Sequence, residues 1–265
     1  MKMKKWIGLI VLLLWVVACK VNPITGRRQF QVIPNSQLIP LSFQNYDEVL
    51  KNSKVIKHGS KAVQLRKVGN RIKTAVEKYY TDRGLQNHLD GFEWEFNLID
   101  DDALNAWCMP GGKVAFYTGI LPVCKSSAGI AVVMGHEIAH AVANHGGERM
   151  SQGLIANLGL SALSVAVEQK PKLTNQLLLQ AAGIGTQIGM LKFSRKHESE
   201  ADEMGLIFMA MAGYDPHEAP KFWERMNKAT GGSNGPEFLS THPHPSTRIK
   251  DLNKLIPEAM KYYKK

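Results

Sequence analysis

The sequence GHEIAHAVANH at residues 135–145 places three histidines and one glutamate in an otherwise apolar stretch. On an α-helix each residue advances by about 100°, so His136 and His140 lie on one face, one turn apart, with Glu137 beside them. Two imidazoles and a neighbouring carboxylate in this order form the H-E-x-x-H pattern, in which the histidines bind Zn²⁺ and the glutamate acts as a general base. In a buried helix these polar groups would each cost free energy unless they were bound to something. We therefore predict a metal site with one zinc ion on this helix.

The third histidine of the stretch does not fit this face of the helix. His145 falls nine residues after His136, about 180° around a continuous helix, and we predict one helix from Ser126 to Met150, capped by its first or second residue. The extended pattern H-E-x-x-H-x-x-G-x-x-H is excluded, because Ala143 and Gly146 stand where it needs glycine and histidine. We expect His145 to be a surface or packing residue that points away from the metal.

A catalytic zinc ion takes three protein ligands and keeps one open position, so a further ligand is needed. The sequence HESEADEMG at residues 197–205 offers several carboxylates. Glu198 and Asp202 are four residues apart and share a helix face, whereas Glu200 lies on the far side. One of the pair could bind the metal while the other orients a ligating histidine. The alternative is a solvated acidic helix start, which the helix dipole favours.

Several ordered motifs, GHEIAH, NHGGERMS and SRKHESEADEMG among them, resemble those of the zinc metallopeptidases related to the CAAX prenyl protease and HtpX. Within that group the sequence looks most similar to periplasmic lipoprotein members of the BepA and LoiP kind, over residues 22–248. The resemblance implies a zincin-like (gluzincin) fold, Glu198 as the third zinc ligand, and Asp202 as an outer acid and possible proton donor. It also implies that His242, in THPHPSTR, either stabilises the transition state or is a fourth zinc ligand, with Arg248 beside it.

The resemblance further implies a reaction and a place for the substrate. We expect endopeptide hydrolysis of misfolded or misassembled envelope proteins, with Glu137 taking a proton from the attacking water. The sequence NAWCMPGGKVAF resembles a sheet edge beside the zinc, where an extended peptide could bind near Asn105, Ala106 and Trp107. The alternative function is a largely latent metal-site protein that acts as an envelope chaperone or assembly factor. Outer-membrane assembly complexes are a further candidate partner.

The N-terminus resembles a bacterial lipoprotein signal. The basic MKMKK is followed by the apolar WIGLIVLLLWVV, which is shorter than a typical membrane span, and then by Cys19. We predict a signal peptide at residues 1–18, lipidation of Cys19, a lead-in at 19–45 and a metallopeptidase domain at 46–265. The lipid would hold the protein on a membrane, facing the periplasm, and Lys20 after the cysteine suggests the outer membrane. The alternative is an uncleaved anchor helix.

Length, composition and charge exclude several other classes. A chain of 265 residues with 44% apolar composition can bury a full core. The formal net charge is +10, and +7 without the three lysines of residues 1–18. Because no nucleic-acid-binding motif accompanies this charge, we expect a basic solvated surface, suited at most to an anionic membrane face, and no nucleic-acid partner.

Hydrophobic periodicity predicts a mainly α-helical fold with a small β-sheet, an α+β class. Apolar residues recur at helical spacing over residues 61–80, and alternate as in a strand from Phe92 to Asp100, before a turn at Pro110–Gly112. Two apolar segments, 151–171 and 173–191, are interrupted by polar residues, so we predict buried or amphipathic helices there instead of membrane spans.

Cys108 and Cys124 are the cysteines that follow Cys19. An oxidising compartment would allow them to form one disulfide. The sequence leaves this pairing open beside the alternative of two small buried residues.

Overall fold

The computed structural model describes residues 19–158, 193–230, 242 and 247–264. Most of the two predicted apolar helices, from residue 159 onward, lies outside the described residues, as does the predicted signal peptide. Within the described residues the expected class, mainly α with a small sheet, is confirmed.

The described elements follow one another from a short N-terminal strand pair to a C-terminal helix. Strands β1 (Cys19–Val21) and β2 (Arg28–Phe30) pair antiparallel, apart from a three-stranded sheet of β3 (Glu95–Ile99), β4 (Ala106–Met109) and β5 (Lys113–Tyr117). The α-helices are α1 (Asn35–Lys51), α2 (Ser60–Thr81), α3 (Leu121–Cys124), α4 (Ser127–Val142), α5 (His145–Leu158), α6 (Arg195–Met211), α7 (Glu218–Ala229) and α8 (Arg248–Met260). Two 3₁₀ helices, Gln86–Leu89 and Thr118–Ile120, complete the list.

The three-stranded sheet has the order β3-β5-β4, with β3 parallel and β4 antiparallel to β5. The hairpin between β4 and β5 turns at Gly111 and Gly112, both with φ near +90°, a conformation that side chains rarely adopt. A Cβ atom on Gly111 would also lie 2.5 Å from the ring of Phe43. The turn predicted at Pro110–Gly112 is therefore confirmed. Strand β4 lies at an edge of the sheet.

The core forms where α2, α4 and α6 pack together with one another and with the sheet. Helix α2 contributes its predicted apolar face, which includes Leu65, Ile72 and Tyr80, all fully buried. Helix α4 is buried on nearly all sides, as expected of a central helix that is apolar all round.

The long helix predicted from Ser126 to Met150 is wrong, because the chain breaks it in two. Helix α4 starts as predicted, with the Ser126 side chain accepting a hydrogen bond from the third following amide, but it ends at Val142. Asn144 then takes a left-handed conformation with φ of 55°, which asparagine tolerates better than most residues. Helix α5 begins at His145, so the 180° argument, which needs one continuous helix, does not apply to this residue.

Glycines allow α4 and α6 to cross in close contact. A Cβ atom on Gly135 would lie 2.8 Å from the carbonyl oxygen of Gly205, and one on Gly205 would lie 2.9 Å from the amide nitrogen of His136. Real Cβ atoms do not approach backbone atoms so closely. This crossing sets the distance between the H-E-x-x-H helix and the helix that carries the predicted third ligand.

Other features bear on the predicted organisation. Cys108 and Cys124 are both free thiols, so the open disulfide alternative is not realised. The predicted boundary at residue 46 falls inside α1. Among the described residues no single helix has the length and apolarity of a membrane span, although Thr118–Cys124 and Ser127–Val142, bent by 119°, pass that test as a pair by length and composition.

Candidate metal centre

Four buried side chains from three parts of the chain converge at the α4–α6 crossing. His136 and His140 come from α4, Glu198 from the first turn of α6, and His242 from further along the chain. One donor atom from each lies within 4.8 Å of the others, and all four residues are at most 4% exposed. The structure thus brings the two predicted histidine ligands together with the predicted carboxylate.

The donor atoms have the spacing that a bound cation requires. The Nε2 atoms of His136 and His140 are 3.1 Å apart. Nδ1 of His242 lies 3.4 Å from Nε2 of His136 and 3.1 Å from Oε1 of Glu198. Tetrahedral bonds of 2.0–2.1 Å to zinc separate ligand atoms by about 3.3 Å. Three ring nitrogens that face one another cannot all be satisfied by mutual hydrogen bonds, because a neutral ring has only one N–H. The residues therefore fit a zinc ion.

The surrounding histidines stabilise the ionised form of Glu198. Although burial opposes ionisation, His242, His136 and His140 hold the pKa of this carboxyl well below its usual range. Burial lowers the pKa of His140 well below its usual value, which favours the neutral ring. An ionised carboxylate and a neutral imidazole are the forms that bind a metal.

Glu137 lies beside the four donors and outside their set. It is 2% exposed, its Oε1 atom has no hydrogen-bond partner among the described residues, and that atom lies 3.7 Å from Nε2 of His242. Burial, aided by the nearby carboxylate of Glu198, raises the pKa of Glu137 to about 7, against the opposing effect of His242. A buried carboxylate with an unsatisfied oxygen and a raised pKa is typical of a residue retained for chemistry.

Arg248 and Asp202 support two of the donors. Arg248 is 2% exposed and donates to Oε2 of Glu198 at 3.2 Å and to Oδ1 of Asp202 at 2.6 Å, while its guanidinium lies 3.6 Å above the ring of Trp223. Asp202 also contacts Nδ1 of His136 at 3.0 Å. Asp202 thus occupies the position of an outer carboxylate that orients a ligating histidine, and Arg248 holds two carboxylates in place.

The prediction that His145 points away from the site is wrong. Because α4 ends before it, its ring is fully buried, with Nδ1 2.9 Å from Nδ1 of His140 and Nε2 2.9 Å from Oε2 of Glu200. Glu200 lies on the opposite side of α6 from Glu198, as predicted from helix geometry. It is nevertheless buried, in contact with His145. Sequence reasoning missed the contact between His145 and Glu200 because it treated α4 and α5 as continuous.

The N-terminal segment between β1 and β2 binds the same region. Glu200 accepts hydrogen bonds from Asn22 at 2.6 Å, from Thr25 and from Nε of Arg27. The two terminal nitrogens of Arg27 bind Glu148 of α5 at 3.2 and 2.7 Å. Although burial opposes ionisation, His197 and Arg27 lower the pKa of Glu148 to about 2. The predicted lead-in is therefore an integral part of the site's surroundings.

The predicted substrate residues lie at the β4 edge. Asn105 and Ala106 are buried, and the Asn105 side chain accepts a hydrogen bond from the amide of Ala106 at 2.9 Å. Trp107 is partly exposed and packs edge-on against Tyr46, with ring centroids 5.7 Å apart. Among the described residues β4 pairs with one strand and contacts α4, so its other edge has no strand partner there.

Comparison with known proteins identifies the family. The sequence model of peptidase family M48 matches residues 67–256 of this chain. This range includes the four donors and Glu137. The chain belongs to peptidase family M48. A zinc cofactor and a zincin-like fold are thus expected of an M48 peptidase, and the four grouped donors are a possible site for that metal.

Similar proteins occur in mitochondria and in bacteria. The chain is 38% identical over 208 residues to the mitochondrial metalloendopeptidase OMA1 of Saccharomyces cerevisiae, a match that covers 74% of this chain and 57% of that protein. It is 29% identical over 263 residues to human metalloendopeptidase OMA1, covering 96% of this chain and 49% of that protein. Identity to the beta-barrel assembly-enhancing protease of Escherichia coli is 31% over 166 residues, covering 60% of this chain and 33% of that protein.

These matches change the expectation that the chain is most similar to the periplasmic members of the family. The chain spans between about a third and just over half of the length of these relatives. The yeast OMA1 match has higher identity and coverage than the bacterial one. The similarity therefore does not favour the periplasmic branch over the mitochondrial one, contrary to the sequence-based expectation.

Proposed function

We propose that this M48 chain is a zinc-dependent endopeptidase. The observation that carries the proposal is the convergence of His136, His140, Glu198 and His242 on one point, with the buried carboxylate of Glu137 beside them, whose Oε1 atom has no hydrogen-bond partner among the described residues. A storage or structural site would need the donors but not the additional buried carboxylate. The N₃O donor set is typical of zinc.

The chain's own residues supply binding, orientation and proton transfer. Zinc held by His136, His140 and Glu198 would polarise the scissile carbonyl and activate the attacking water. Glu137 takes a proton from that water and delivers it to the leaving amine. Asp202 keeps the His136 ring in place.

His242 and Arg248 lie where they could assist. His242 reaches both Glu137, through Nε2, and Glu198, through Nδ1, so it could donate to the developing oxyanion if it leaves the donor set. Arg248 places one positive charge between the two buried carboxylates that it binds, which reduces the repulsion between them.

The substrate we propose is an extended polypeptide, bound along β4. A strand at a sheet edge offers main-chain donors and acceptors to an added strand, and β4 packs on the helix that carries Glu137. Because the side chains of Asn105 and Ala106 are buried, they would act by shaping the strand, and Trp107 would contact the peptide. Recognition through the main chain suits substrates of varied sequence, such as misfolded or misassembled proteins.

We further propose that the protein acts in the bacterial cell envelope, anchored through lipidated Cys19 and facing the periplasm, in the outer membrane. Support comes from the basic and apolar residues 1–18 that precede Cys19, and from the name of the Escherichia coli relative, which concerns β-barrel assembly. Outer-membrane assembly complexes are the partners that this name suggests.

The anchor can be tested by metabolic labelling in bacteria. A labelled fatty acid is expected on the wild-type protein and absent from Cys19→Ala, because the thiol is the proposed attachment point. Cys108→Ala is the matched control and should keep the label. Equal labelling of Cys19→Ala and wild type would contradict the lipoprotein proposal.

A second candidate is a latent metal-site protein that works as a chaperone or assembly factor. The observation that favours it is His242, which gives the metal a fourth protein donor and so fills the position that a catalytic zinc keeps open. In this function binding of unfolded chains, without cleavage, would be the main task.

Metal removal tests the peptidase proposal. The purified full chain is expected to hold one zinc ion, to cleave unfolded casein, to lose cleavage when a chelator removes the zinc, and to regain it with one equivalent of zinc. Zinc content by mass spectrometry and peptide release by chromatography measure both properties. Cleavage that persists in verified zinc-free protein would contradict the proposal. Full zinc content without cleavage, together with cleavage by His242→Ala, would favour the latent form.

A further inference from the structure

His145 occupies a position that the peptidase chemistry does not use. It is fully buried between two elements, with one ring nitrogen 2.9 Å from Nδ1 of the ligand His140 and the other 2.9 Å from a carboxylate oxygen of Glu200. Both ring nitrogens of this buried histidine are thus engaged, one of them with the ring nitrogen of His140 that faces away from the other three donors.

The hydrogen-bond partners of Glu200 determine the direction of these contacts. Its two oxygens accept from the amide of Asn22, the hydroxyl of Thr25 and the guanidinium of Arg27. Arginine can only donate, and an ionised carboxylate can only accept. Nε2 of His145 must therefore carry a proton and donate it to Glu200.

The proton order then propagates to the metal ligand. A neutral imidazole with its proton on Nε2 presents a lone pair at Nδ1. Nδ1 of His145 accordingly accepts, and Nδ1 of His140 donates. The proton of His140 is thus held on Nδ1, which leaves the lone pair of its Nε2 directed at the other donors, 3.1 Å from Nε2 of His136.

The two ligating histidines of α4 are therefore oriented in different ways. Nδ1 of His136 lies 3.0 Å from the carboxylate of Asp202, the direct arrangement of a carboxylate behind a metal-bound histidine. Nδ1 of His140 instead contacts the ring of His145, and that ring in turn contacts the carboxylate of Glu200. Both arrangements end in α6, so each ligand of α4 is tied to the helix that supplies Glu198.

The N-terminal segment completes the chain of contacts. Arg27 binds Glu200 of α6 and, through its two terminal nitrogens, Glu148 of α5. Glu148 also contacts Nε2 of His197 at 3.1 Å, and the His197 ring stacks on that of His145 with centroids 4.5 Å apart. The ring of His145 is thus held by stacking on one face and by contacts at both of its nitrogens.

From this geometry we infer that His145 is a positioning residue, which with Glu200 and Arg27 forms a relay that fixes the His140 tautomer for metal binding. The inference rests on the proposed zinc site. Removal of an outer partner of a ligating histidine typically costs 10- to 100-fold in metal affinity. The relay also makes residues 22–27 part of the metal site, although they lie more than 100 residues before it in sequence.

The test is the zinc dissociation constant of the full chain, measured by competition with a chromophoric chelator. His145→Leu is expected to raise it about 10- to 100-fold, because leucine fills the space but cannot accept from His140. His145→Gln is expected to keep most of the affinity, since its carbonyl can accept from His140 while its amide donates to Glu200. His217→Leu is the matched control, because Nδ1 of His217 contacts Asp215 at 2.7 Å at the surface, away from the site, and it should bind zinc as wild type does.

The outcomes separate this inference from the proposed function. Wild-type affinity in His145→Leu, or equal losses in the leucine and glutamine variants, would overturn the relay, while zinc binding and cleavage by wild type would leave the function standing. Absence of zinc from wild type would overturn both. Should His145→Leu fail to fold, ¹⁵N NMR of the zinc-loaded wild type decides, since the relay requires the His145 proton on Nε2, and a proton on Nδ1 would contradict it.

Discussion

Replacing Glu137 with glutamine is expected to leave zinc bound and to lower the rate of peptide cleavage by about 100- to 10,000-fold, the usual contribution of a general base. Glutamine has the shape of glutamate but cannot take a proton from the attacking water. Zinc should stay because Glu137 is not one of the four donor atoms. The measurement is kcat/KM on an unfolded protein substrate, together with zinc content.

The matched control is Glu203→Gln, the same substitution at an exposed glutamate of α6. It should cleave and bind zinc as wild type does. Equal cleavage by Glu137→Gln and wild type would remove Glu137 from the mechanism, and loss of zinc from Glu137→Gln would mean that it acts as a ligand. The two measurements also distinguish the role of Glu137 in cleavage from the role of His145 in metal binding. The Glu137 variant is expected to lower the cleavage rate, whereas the His145 variants are expected to change the affinity for zinc.

The part of the site that could be predicted from sequence is the part encoded locally. His136, Glu137 and His140 are placed by the period of one helix, and the four-residue separation of the two histidines suffices to fix their common face. Glu198 and Asp202 share a face for the same reason. That the two faces meet was implied only by the resemblance to known metallopeptidases, since helical periodicity does not determine which helices pack together.

What could not be predicted depends on single-residue conformations and on long-range contacts. The break between α4 and α5 follows from a left-handed Asn144, and nothing in the apolar periodicity of the stretch signals it. His145 was misplaced because of this break. The contact between Arg27 and Glu200 joins residues 173 positions apart, a separation that no local pattern encodes.

Gly205→Ala is expected to lower the free energy of unfolding by about 3 kcal/mol and to weaken zinc binding. Its added methyl group would lie 2.9 Å from the amide nitrogen of His136 and 3.0 Å from the carbonyl carbon of Gly135. These are backbone atoms of a buried helix, so they cannot move aside as a side chain would. The helices α4 and α6 must then separate, which moves Glu198 away from His136. Chemical denaturation of the zinc-free chain and the zinc dissociation constant measure the two effects.

The control is Gly146→Ala, in which the new methyl group would lie 3.6 Å from the ring of Pro110, an ordinary contact. This substitution should be neutral or stabilising, since alanine in a helix is favoured over glycine by about 1 kcal/mol. Stability and zinc affinity of Gly205→Ala equal to wild type would show that the crossing tolerates a wider separation. The metal site at GHEIAH, residues 135–140, would then depend on its histidines alone. The expected loss of stability and zinc affinity would instead mean that Gly135 and Gly205 are required as well as the ligands. These two glycines set the distance at which two helices can share one metal ion.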